Sequence, residues 1–152
     1  MSDRGVFVVA FTTVVLIGGS AFAIPQFFPF ELMKSLMYVA IAIMVFFGEN
    51  QFSYMLGIVT PVVGWAATMM AGGLVRDFKV LFASIAMKPI GSLESPLHAL
   101  ALTAQVLLAV LCWRAWNKEV PLPFLGKTFG ICLAIAVGHA FAVFLFFLKL
   151  VS

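Results

Sequence analysis

Residues 128–148 read TFGICLAIAVGHAFAVFLFFL, an uncharged run closed by Lys149. As an α-helix rising 1.5 Å per residue, such a run is about as long as the hydrocarbon core of a bilayer is thick, roughly 30 Å. It does not alternate apolar and polar residues, as a barrel strand facing lipid on one side and a lumen on the other must. With no water to satisfy exposed backbone groups, a helix is the remaining way across. This stretch decides the fold class, and four others repeat its argument.

Working back towards the start of the chain, comparable runs extend over about Pro96 to Trp113, Phe52 to Val75, Leu32 to Gly48 and Gly5 to Ile24, the last stopped by Pro25. The expectation is an all-α, polytopic transmembrane bundle in one integral membrane domain, residues 1–152, with five spans. Because the run from Leu32 is short, the alternative is four spans, with residues 31–51 as a half-inserted hairpin arm. Gly48-Glu49-Asn50-Gln51 is long enough for a tight antiparallel turn.

Composition agrees. Of 152 residues, 64% are hydrophobic and 10% charged, and the mean hydropathy is +1.16; soluble domains carry roughly 25% charged residues. A chain of 16.5 kDa is too small to hide that much apolar surface from water. The seventeen phenylalanines suit contact with acyl chains. The net charge of +3 does not imply nucleic acid, because the basic residues stand mostly singly at the ends of apolar runs, where lipid headgroups lie.

The segment RDFKVLFASIAMK, residues 76–88, is of another kind. Phe78, Leu81, Phe82 and Ile85 share one helical face between flanking charges, the pattern of an amphipathic helix lying in the interface plane. Ser95 is placed to cap the following helix, with Pro96 at its first position. Glu94 favours the positive end of that helix. The first run imitates a secretory signal, with Arg4, an apolar core and Ala21-Phe22-Ala23. It is read as a retained first span, and its character points to a bacterial inner membrane. With five spans, one side carries Arg4, Arg114, Lys118 and Lys127, and the other Lys34, Arg76, Lys79, Lys88 and Lys149. That balance is too even for the positive-inside rule. Trp113 to Lys118 reads as an aromatic–basic interface anchor, which places it with the N-terminus on the cytoplasmic side.

Two small-residue patterns point to helix packing. Gly126, Gly130, Ala134, Gly138 and Ala142 recur every four residues and let another helix come close. In the third span Gly57, Pro61, Gly64, Thr68 and Ala71 form a related face. Pro61 frees a carbonyl near Gly57, which Thr60 or a neighbouring helix would satisfy.

Polar candidates are few. His139 lies inside the last span, where a histidine is a functional candidate. Small neighbours would let a haem or chlorophyll-type pigment approach it. His98 is the only possible histidine partner, but counting from the span ends sets the two about 10 Å apart in depth. Glu49, Asn50 and Gln51 would form a proton or cation cluster if their turn dipped into the bundle. Glu31 and Lys34 read as an interfacial ion pair. Thr103 and Gln105 need partners on a neighbouring helix. Cys112 and Cys132 read as small apolar filler, since they lack CxxC spacing.

There is no phosphate loop, G-x-S-x-G, H-E-x-x-H or Cys/His metal spacing. No motif implies a cofactor. The leading expectation is a non-catalytic subunit or self-associating protein, with lipids and other transmembrane helices as partners. The alternative is a small transporter or channel, with Pro61 kinking its wall and Glu49, Asn50 or His139 on the path. A haem or pigment subunit is a lesser alternative.

Overall fold

The computed structural model describes residues 2–91 and 94–151 and contains, among them, helices but no strand. The order is α1 (Ser2–Ala23), a 3-10 turn (Pro25–Phe27), α2 (Phe28–Phe46), α3 (Asn50–Met70), α4 (Gly73–Ile85), α5 (Pro96–Glu119) and α6 (Lys127–Val151). All but α4 are long and apolar enough to cross a membrane, which makes five such helices. This is a polytopic membrane protein. The four-span alternative falls because α2 is a complete span. Pro29 sits in its first turn, where a missing N–H costs nothing, so the helix starts four residues before Leu32.

Other boundaries moved for equally local reasons. The third span ends at Met70 rather than Val75, because Gly72 takes a left-handed φ of +68°. The fourth runs past Trp113 to Glu119 and stops at the extended Val120, the residue before Pro121. The amphipathic helix lies at 73–85 instead of 76–88. It closes on Met87, whose φ is +52°. The amides of Met87 and Lys88 return to the carbonyls of Ser84 and Ala83, which satisfies acceptors that the helix end would leave open. Gly48 and Glu49 close α2 in the same way, onto Val45 and Met44.

The spans alternate in direction. One face of the bundle therefore gathers the start of α1, the α2–α3 turn, and the α5–α6 connection. The opposite face gathers the α1–α2 junction, α4, the start of α5 and the end of α6. α1 packs against α2 and α5, α3 against α5 and α6, and α2 bridges α1, α3 and α6. Val6, Ala10, Ile41, Tyr54, Met55, Leu108, Cys112 and Cys132 form the centre. Trp116, expected as an interface anchor, is buried and packs edge-on to Phe124, with centroids 6.1 Å apart. The two cysteines are free and buried.

Candidate functional site

Most interior hydroxyls are spent on their own helices. Thr13 donates to the Val9 carbonyl, Ser35 to Leu32 and Thr68 to Gly64, and the exposed Thr103 does the same to Leu100. Such back-bonding satisfies a polar group without a neighbour. Two places differ, because there polar side chains from several helices meet.

The first centres on Glu31, only 3% exposed although it lies in a span. Lys34 Nζ stands 2.8 Å from Glu31 Oε1, on the same helix. Ser20 Oγ of α1, which donates to the Ile17 carbonyl at 2.7 Å, also lies 3.3 Å from Oε2, and His98 Nε2 of α5 stands 3.4 Å from Oε1 without a hydrogen bond. A carboxylate cannot be taken out of water at this depth without such company. The expected pair is thus present, with Glu31 buried in a three-helix junction and Lys34 partly exposed. Lys34 also lies over the Phe30 ring, 4.9 Å from its centroid, which shields the ammonium with an aromatic face.

The second lies at the opposite membrane face. Tyr54, buried at the start of α3, sets its single O–H between the carboxyl groups of Asp3 of α1 and, at 2.7 Å, Glu119 of α5. Neither Asp3, Tyr54 nor Glu119 stood out in the sequence. Their common signal was position: all three lie within about one turn of span ends on the same face. Glu31 and His98 share that signal on the other face.

The small-residue patterns separate. A Cβ on Gly57 would fall 2.3 Å from Cys112 Sγ, so α3 and α5 meet there backbone to side chain. At Gly64 the nearest atoms are Gln105 Oε1 and Tyr38 Oη, both at 3.8 Å, so that position is looser. Gln105 itself is buried between helices. Pro61 is buried inside α3, but Thr60 Oγ1 has no hydrogen-bond partner; it does not take up the expected role of satisfying a freed backbone group. On α6, by contrast, Gly130, Ala134, Gly138 and Ala142 point out of the bundle. A Cβ on Gly130 or Gly138 would meet no atom within 4 Å. Gly126 lies before α6, against the Pro123 carbonyl. The side of α6 that packs inward carries Thr128, Cys132, Ala136 and Val143.

The remaining candidates do not converge. Glu49 is exposed in its turn and Asn50 half-buried, with Asn50 Oδ1 unpartnered. Gln51 donates to Thr128, which ties α3 to α6 instead of joining a cluster with Glu49. Pro61 is three turns further along. His139 is half-buried, turned to the backbone of Met33, and its Nε2 has no hydrogen-bond partner. His98 Nε2 faces Glu31 at 3.4 Å. The two histidines thus approach α2 at different residues, each with its own surroundings. No group of three or more His, Cys, Asp or Glu suited to a metal occurs among the described residues. Comparison with known families, characterised proteins and solved structures gives no match, so geometry alone carries the functional argument.

Proposed function

We propose that this protein is a non-catalytic membrane subunit that docks another transmembrane helix along α6. The observation that carries this reading is the outward stripe of Gly130, Ala134, Gly138 and Ala142. In lipid, where apolar side chains gain little by leaving their solvent, close backbone approach over small residues is what brings helices together. The opposite side of α6 is already occupied by α3, so the two faces divide the work. Internal packing uses one and leaves the stripe outside, between bulky neighbours such as Ile135 and Phe141.

The test is Gly138→Leu in mild detergent or nanodiscs. With open space around Gly138 the variant folds and melts as the parent does, while its oligomer, or its co-purification with a partner subunit, is lost. A parent chain that runs as a lone monomer, or a variant that associates unchanged, ends this reading.

A second reading, passage of protons or cations, rests on Glu31, a carboxylate held inside a span with a titratable imidazole beside it. Here Glu31→Gln abolishes flux in proteoliposomes. Absence of flux for protons and common cations in the parent removes it.

A further inference from the structure

The amphipathic helix α4 has two faces with separate surroundings. Phe82 and Ile85, 65% and 70% exposed, lie on one. The other, at spacings of three, one and three residues, carries Arg76, Lys79, Val80 and Ala83 and forms the wall of a groove of about 420 Å³ closed by Pro89, Ile90 and Glu94. We infer that this groove binds the phosphate headgroup of an anionic membrane lipid.

Charge is the first argument. Arg76 Nε lies 3.5 Å from Asp77 Oδ1, a distance longer than a close charge-assisted hydrogen bond, and the guanidinium carries further donors able to meet an oxyanion. Lys79 has no carboxylate within ion-pair distance among the described residues. Glu94 is the acid in the wall, and its Oε2 is turned to the Gly91 amide at 2.9 Å. The groove lining thus sets two cations, Arg76 and Lys79, against one carboxylate. Gly72, also on its wall, is the N-cap of α4 and has no side chain to cap it. The positive end of the helix dipole, with its open amides, is left at the same place.

Position is the second argument, and it selects a lipid over a soluble anion. α4 follows the end of α3 and precedes the start of α5, so it lies at a membrane face. Its exposed Phe82 and Ile85 are apolar side chains that an interfacial helix sets into the acyl boundary. With that face in the bilayer, Arg76 and Lys79 stand at headgroup level. Val80 and Ile90 give the groove an apolar floor, suited to the glycerol and upper acyl carbons of the same molecule.

The experiment uses the purified full chain in nanodiscs or neutral detergent, with lipid retention followed by native mass spectrometry and stability by thermal melting. Phosphatidylglycerol stays bound and raises the melting temperature, and phosphatidylcholine does not. Removing two cations near a charged surface weakens retention on the order of 10-fold or more. The Arg76→Gln, Lys79→Gln double variant shows that loss and melts normally without lipid, while Lys127→Gln, on the other membrane face, retains the lipid as the parent does. Equal retention of the two lipids, undiminished binding by the double variant, an equal loss in Lys127→Gln, or inorganic phosphate reproducing the stabilisation each overturns the inference.

Discussion

α3 and α6 are both long apolar helices punctuated by glycine, and the bundle uses them in opposite ways. Half of the residues in the apolar window of α3 are buried, against 17% for α6. On α3 Gly57 and Gly64 face inward, whereas Ala66, Ala67 and Ala71 are exposed. Gly57 takes the place where Cys112 would otherwise collide, and Gly64 faces Tyr38 and Gln105. On α6 the stripe faces outward, and the helix is held by Cys132, Ala136 and the Gln51–Thr128 hydrogen bond. The difference teaches that a glycine repeat announces a close contact without naming the partner. What names it is the burial around it: α3 is enclosed over Ser53–Pro61, where Gly57 lies, whereas α6 is covered along one side.

Substitutions break or sharpen this contrast in a definite order. Gly57→Ala acts most strongly, because the new methyl overlaps a buried sulfur; overpacking of this kind costs roughly 1–3 kcal/mol. Adding Cys112→Ala recovers most of that loss, and unfolding in denaturant measures both. If the double variant is no better than the single one, the seam is not where the structure puts it. Next comes Tyr54→Phe, which removes a buried hydroxyl from two carboxylates at the start of α3 and costs about 1–2 kcal/mol. Thr128→Val releases the start of α6 from Gln51 and costs about 1 kcal/mol, with faster hydrogen exchange confined to the first turns of α6. The smallest change has the opposite sign. Gly130→Ala adds a methyl in open space and strengthens the helix by about 0.5–1 kcal/mol. A loss of stability there, in the monomeric protein, would show that α6 is enclosed within the chain after all.

Much of the architecture was legible because lipid imposes simple demands. Span length and uniform apolarity marked five helices, and the spacing of Phe78, Leu81, Phe82 and Ile85 marked α4. Boundaries slipped where local backbone chemistry overrode hydropathy: Gly72 ended α3 early, Pro29 let α2 begin early, and the helix-forming run Arg114 to Glu119 carried α5 onward. The sites were less legible, since hydropathy describes one helix at a time. Glu31 and Lys34 were visible as a pair because they are three residues apart. His98 and Ser20 joined them only through tertiary packing, as did Asp3 and Glu119 at Tyr54. Likewise the stripe on α6 was readable as a stripe, but its outward direction depends on which residues α3 and α2 occupy.

The junction around Glu31 also bears on biogenesis. If spans enter the membrane in the order of synthesis, α2 arrives with its carboxylate before α5 has been made. Lys34, one turn along the same helix, enters with it, so the charge is never inserted without a counterion. Ser20 is already in place on α1. His98 comes last, and only then is the acid joined from three helices. The α1–α2 hairpin is therefore the earliest unit able to house Glu31, and docking of α5 completes it. A ribosome-bound chain halted after α2 should hold a native-like hairpin whose carboxylate still awaits its imidazole.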